Sequence, residues 1–186
     1  MELNDIVNFD NIILSFRQCL RGKYGKRNAL LMFKYFENDV LNLYNDLKNG
    51  DYRHSGYNFF VNYDSKKRRI ASACLIDKIV HRMLYNKLND IFDSSFIFDT
   101  YACRDGKGTS RAIKRCQKFL RNKKLIYFLK SDVQKYFDSI DHNILKELLR
   151  RKIKNNDVIC LWDKIINSYS ITENRGIPIG NLTSQM

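Results

Sequence analysis

The stretch from Leu125 to His142, LIYFLKSDVQKYFDSIDH, constrains this chain more tightly than any other. Leu125–Leu129 is an apolar run too short for a free-standing helix and rich in strand formers, so it predicts a buried strand. That strand would deliver Asp132 at its end, a carboxylate held by a rigid and desolvated element. Tyr136 and Phe137 follow, and Ser139 and Asp141 supply capping chemistry for a helix that starts near His142. Strand, carboxylate, aromatic pair and helix start together form the layout of a metal-binding acid beside a substrate pocket. The same letters also describe a solvated aspartate at the end of an ordinary strand.

Charge narrows the choice of partner. Thirty-three Lys and Arg stand against 20 acidic residues, a formal charge of +13 on 186 residues. Such an excess points to a polyanion, either nucleic acid or an anionic membrane surface. No apolar run reaches the roughly 18 residues of a membrane span. The N-terminal MELNDIVNFD is acidic, unlike the basic start of a secretory signal. Nucleic acid is therefore the expected partner, with no membrane. Cys19, Cys74, Cys103, Cys116 and Cys160 are odd in number and scattered without a C-x-x-C pair, which argues against a zinc site or a disulfide framework. They fit a reducing, cytoplasmic setting in which thiols act as small buried apolar groups.

In chain order, apolar spacing predicts a short helix over Asn11–Leu20 and a longer one from Asn28 to a stop at Asn49-Gly50. Asp51–Tyr63 is aromatic-rich and partly extended; its tyrosines suit base stacking, and equally suit half-buried strand positions. Lys66, Lys67, Arg68 and Arg69 follow an Asp64-Ser65 turn signal, at a hairpin tip or strand start, where they could reach phosphates or form a solvated charge run. Leu75–Phe92 is a helix with a broad apolar stripe, and His81 beside it reads as structural. The loop YACRDGKGT lacks P-loop spacing. From Thr109 or Ser110 a helix sets Ala112, Ile113, Cys116, Phe119 and Leu120 on one face, and Arg111, Lys114, Arg115, Lys118 and Arg121 on the other. That basic stripe suits a phosphate backbone or a solvated surface. Ile144–Ile153 and Val158–Tyr169 are amphipathic helices, and RGIPIGNLTSQM is a glycine-flanked turn leading to a helix start at Asn181–Ser184.

Four of these stretches, in this order, resemble the motifs of a reverse transcriptase: KKRRIASACLIDKIVHRML, FDTYACRDGKGTSRAI, FLKSDVQKYFDSIDH and RGIPIGNLTSQ. Together they cover nearly everything from Lys66 onward. The resemblance implies an α+β chain, with the fingers and the first part of the palm of a right-hand polymerase behind a helical N-terminal lead-in. The implied divisions are 1–58 for the helical lead-in, 59–122 for the fingers and 123–186 for a partial palm. I-G-N-L-T-S-Q is most like the diversity-generating retroelement type, whose enzymes copy a template RNA with errors at adenines. Retroviral and many group II intron-like enzymes have glutamine where this chain has Ile179, so the resemblance implies relaxed fidelity.

By the same resemblance, Asp132 would be the first catalytic aspartate and a ligand of a Mg²⁺ pair, with the Val133 carbonyl as a further ligand. Phe137 would be the steric gate against a ribose 2′-hydroxyl. Lys66 and Arg68 would hold the triphosphate, with Lys67 and Arg69 blurring the register. Gly180 would let backbone approach the nucleotide and Ile179 would touch it. Arg104 would contact template or nucleotide, while Asp138 and Asp141 would orient the loop and cap the helix. The implied partners are template RNA, a DNA primer, deoxynucleoside triphosphates and a small basic accessory protein.

One departure stands out: the family's second acidic motif, Y-x-D-D, occurs nowhere in these 186 residues. A two-metal site is not completed by Asp132 alone. The expectation is an N-terminal fragment, inactive alone. Two alternatives stand beside it: an RNA-binding module without catalysis, and one half of a polymerase split over two chains.

Overall fold

A computed structural model describes residues 1–22, 36–63, 67–121 and 127–186. Helices α1 (Leu3–Ile6) and α2 (Phe9–Leu20) lead in, and α3 (Phe36–Asn49) follows. The Asn8 side chain caps α2 by accepting from the Asn11 N–H at 2.9 Å. The longer helix predicted from Asn28 is seen from Phe36; residues 28–35 lie outside the described ones. Gly50, at φ +75°, ends it in the left-handed conformation that favours glycine.

Strands β1 (Tyr57–Tyr63) and β2 (Lys67–Ala73) pair antiparallel, with Tyr57 opposite Ala73 and Tyr63 opposite Lys67. Helix α4 (Leu75–Asp93) comes next, then α5 (Thr109–Leu120), α6 (Tyr136–Ser139), α7 (His142–Lys152), α8 (Asn156–Asn167) and a 3₁₀ turn at Thr183–Gln185. Helices and a small antiparallel sheet make this an α+β chain. One core joins Ile12 and Phe16 of α2, Leu43 of α3, Val80, Met83 and Leu84 of α4, Leu149 of α7 and Trp162 of α8. α2 packs along α4 and α7 along α8.

A buried polar node ties these elements together. The Asp77 side chain, near the start of α4, is fully buried. It accepts from Tyr52 Oη at 2.8 Å, the Ser55 N–H at 3.0 Å and Cys74 Sγ at 3.1 Å, and His54 Nδ1 lies 3.5 Å away. A buried carboxylate persists only with such partners. Burial, then Asp77, pushes the Tyr52 hydroxyl far above its ordinary pKa. Burial, then the neighbouring His54, pushes His81 down to about 3. His81 is thus a neutral, buried side chain.

Two expectations are corrected. Tyr127, Phe128 and Leu129 are not a strand; they are irregular and 87, 86 and 91% exposed. A strand needs a neighbour to take its backbone hydrogen bonds, and among the described residues the only sheet is β1–β2. On α5 the apolar face that the spacing defines is about half exposed at Ile113, Phe119 and Leu120. Periodicity defines a face but not what covers it. The thiols are not buried groups; Cys103, Cys116 and Cys160 are exposed, and Cys19 and Cys74 are intermediate.

Candidate nucleotide and nucleic-acid site

Distant stretches meet here through backbone hydrogen bonds. The Phe137 carbonyl in α6 accepts from the Ile177 N–H at 2.9 Å, and the Ile140 carbonyl accepts from the Gly176 N–H at 2.8 Å. Further along the same turn, the Ile179 carbonyl accepts from the Ala71 N–H of β2 at 3.2 Å. Phe137, the 176–180 turn and β2 therefore form one continuous wall. Gly180 sits at φ +117°, and a Cβ there would come within 3.1 Å of Ile70 Cγ2 and 3.2 Å of the Ala71 carbonyl oxygen. The close approach that this glycine permits is to β2.

Side chains absent from the sequence reading brace the wall. His142 is buried, and its Nε2 lies 2.7 Å from the Gly176 carbonyl oxygen, while its backbone N–H donates to the Asn174 carbonyl at 2.9 Å. A carbonyl only accepts, so Nε2 carries the proton. Buried Asn181 donates to Tyr57 Oη at 2.9 Å, and that oxygen lies 3.0 Å from Ser168 Oγ. The letters S-I-D-H and G-N-L were visible in the sequence; which carbonyl or hydroxyl they would meet was not.

Strand alternation sorts the basic run. Lys67 and Arg69 lie on one face of β2, with the Lys67 ammonium 5.9 Å from the Tyr63 ring centre and the Arg69 guanidinium carbon 4.1 Å from that of Phe59. Arg68 lies on the opposite face with Ile70, the residue that meets Gly180. Lys66 falls outside the described residues. Thus Arg68, Phe137, Ile179 and Gly180 belong to one connected wall.

Asp132 and Val133 stand in an irregular, exposed segment, so the expected delivery of Asp132 by a rigid, desolvated strand is also corrected. Ser139 caps nothing; its Oγ donates to the Tyr136 carbonyl at 2.9 Å. Asp141 does cap α7, accepting from the Asn143 and Ile144 N–H groups at 2.9 and 3.2 Å. Asp138 is half-buried; together with burial, it raises the Tyr169 hydroxyl above its ordinary pKa, and Arg69 opposes the rise.

The Asp132 carboxylate and Val133 carbonyl are hard oxygen donors of the kind Mg²⁺ prefers. They are too few to hold it. Among the described residues no group of three or more His, Cys, Asp or Glu side chains could bind a metal ion.

The second group of candidates lies on α5 and the loop before it. Arg104 is committed to the fold: Nε and Nη2 donate to the Asp93 carboxylate at 2.6 and 2.9 Å, and Nη1 donates to the Ile97 carbonyl at 3.0 Å. That pairing holds Asp93 below the usual carboxylate range. Arg115 grips Asp99 with Nε at 2.9 Å and Nη2 at 3.3 Å. Arg111 donates to the Gly106 carbonyl. Lys114 and Lys118 are exposed. Within the stripe Arg111 and Arg115 hold the loop, while Lys114 and Lys118 face solvent.

The family model described as "Reverse transcriptase (RNA-dependent DNA polymerase)" matches residues 47–185. The chain is 31% identical over 124 residues to the "Uncharacterized 91 kDa protein in cob intron" of Schizosaccharomyces pombe, covering 63% of this chain and 15% of that protein. It is 28% identical over 115 residues to the "Putative COX1/OXI3 intron 2 protein" of Saccharomyces cerevisiae, covering 58% and 13%. It is 24% identical over 132 residues to protein YkfC of Escherichia coli, covering 66% and 35%. The matched region is thus well under two thirds of each relative's length.

Proposed function

Because this chain belongs to the reverse transcriptase family, we propose that it is the fingers and early-palm part of an RNA-directed DNA polymerase. In this reading residues 1–58 are a helical lead-in, 59–122 the fingers and 123–186 the first part of the palm. Its partners are template RNA, a DNA primer and deoxynucleoside triphosphates; a small basic accessory protein is part of the same reading. The observation that carries it is the wall in which Phe137, the 176–180 turn and the Arg68 strand are hydrogen-bonded in series. That wall supports a nucleotide seat with Arg68 on the phosphates, Phe137 at the sugar and Ile179 and Gly180 alongside. Asp132 and the Val133 carbonyl would hold Mg²⁺ together with carboxylates from beyond these residues, since no Y-x-D-D occurs here. Magnesium would supply activation of the primer hydroxyl and neutralisation of phosphate charge.

Ile179 in I-G-N-L-T-S-Q supports an error-prone, diversity-generating enzyme. The two intron proteins among the relatives support a second reading, an intron-encoded enzyme. Misincorporation opposite template adenines separates the two.

The test is primer extension on an RNA template with Mg²⁺, using this chain alone and joined to a polypeptide carrying Y-x-D-D. Extension is expected only in the joined form and is lost in Asp132→Asn. Extension by the 186 residues alone would overturn the incomplete-site reading. Salt-sensitive RNA binding without extension in either form would favour a binding module.

A further inference from the structure

A cavity of about 210 Å³ opens between α2, α4 and the Gly180–Leu182 turn. It is smaller than the roughly 300 Å³ at which pockets for whole small molecules begin, so it suits a compact group. Lys78 and Arg82, one helical turn apart on α4, line it with His81 and Gln18, and no lining residue is acidic. Both cations are braced. Lys78 Nζ donates to Ser72 Oγ at 2.7 Å, and the Arg82 guanidinium carbon lies 5.2 Å from the Tyr85 ring centre.

The wall also carries unpaired polar atoms. Arg82 Nε and His81 Nε2 are buried without a hydrogen-bond partner among the described residues, and His81 is 1% exposed. A buried nitrogen without a partner is costly unless something supplies one. Two held cations, a neutral imidazole and an acid-free lining describe a seat for a phosphate group.

We propose that this cavity binds a phosphate of a nucleic-acid strand, with Lys78 and Arg82 as its cationic clamp and the Gly180–Leu182 turn as its floor. The proposal rests on the nucleic-acid reading above for the source of the phosphate. The turn then has two working faces: Gly180 abuts β2, and Gly180–Leu182 line the cavity. A strand gripped here would register against the same turn that contributes to the nucleotide wall.

The test measures anisotropy of a labelled single-stranded RNA with the 186-residue chain across a salt series, alongside Arg82→Gln and Lys78→Gln. Each variant should lower the slope of log K against log salt by about 0.7, which is about five-fold weaker binding at 0.1 M salt. Thermal melts check that the variants stay folded. Inorganic phosphate, and separately metal-free dGTP, titrated into the wild-type chain should shift the His81 ring and Asn181 amide NMR signals, and RNA should compete. Wild-type binding with unchanged slopes in both variants overturns the clamp and leaves the nucleic-acid reading standing. Phosphate or dGTP shifts at His81 without any RNA binding would keep the seat and sink the RNA source. No response of His81 or Asn181 to phosphate overturns the proposal.

Discussion

Asp77 and Asp132 mark two regions with opposite physical designs. Around Asp77, a fully buried carboxylate receives a hydroxyl, a backbone N–H and a thiol, and elements from Tyr52 to α4 close over it. Around Asp132, residues 127–135 are irregular and exposed, with three consecutive large apolar side chains facing solvent. A buried charge that loses a partner costs several kcal/mol, whereas an exposed one costs little to alter. The first region therefore spends its polar chemistry on holding the fold, and the second keeps its carboxylate available to something else. One is an anchor. The other is an exposed carboxylate with no such partners among the described residues, free of any anchoring duty.

The sharpest way to break this contrast is Asp77→Ala. It strands the buried Tyr52 hydroxyl, leaves the Ser55 N–H without its acceptor, and should cost about 3 kcal/mol or more. Urea unfolding measures it; an unchanged midpoint would mean that the node is not the anchor. Acidification comes next. His81 has a folded pKa of about 3 against an ordinary 6.5, and burial also lowers His54. The unfolded chain binds these protons first, so their contribution is complete above about pH 6.5 and is lost as pH falls toward 3. Asp77, Lys78 and the stacked His54 ring, 5.4 Å away, are the groups that His81 faces. The expected loss approaches about 1.4 kcal/mol per pH unit for a single group within that window. His81→Phe should flatten the pH dependence of the melting temperature, and a profile as steep as wild type would count against the assignment.

Gly180→Ala tests the wall. The new methyl meets Ile70 and the Ala71 carbonyl at a positive φ, so a loss of about 1–2 kcal/mol is expected, with altered amide signals along β2. The smallest effect is assigned to Asp132→Asn, within about 0.5 kcal/mol of wild type in the same urea assay. A loss comparable to that of Asp77→Ala would erase the distinction between buried anchor and exposed carboxylate.

Much of the helical fold was legible in the sequence because a helix announces its buried face locally. The spacing of Ile12, Phe16 and Leu20, of Val40, Leu43 and Leu47, and of Val158, Leu161, Trp162 and Ile165 predicts helices, and these side chains are buried. The cap at Asp141 was readable for the same reason: donor and acceptor lie within three residues. The failures share the opposite property. Leu125–Leu129 has strand composition, yet a strand exists only with a neighbour, and Tyr127–Leu129 have none among the described residues. Likewise the pairing of Arg104 with Asp93, eleven residues away, is not something local spacing reveals.

The sequence by itself determined the helix periods, the basic excess and the order of the four motifs, because each is a property of neighbouring residues or of their sum. Only the tertiary structure decided that Arg68 shares its strand face with Ile70, the residue that meets Gly180, while Lys67 and Arg69 lie on the other face, that His142 holds the Gly176 carbonyl and that Asp77 sits at a buried node. These depend on hydrogen-bond partners, some nearly brought together across more than thirty residues, and strand register and chain closure choose such partners where local spacing does not.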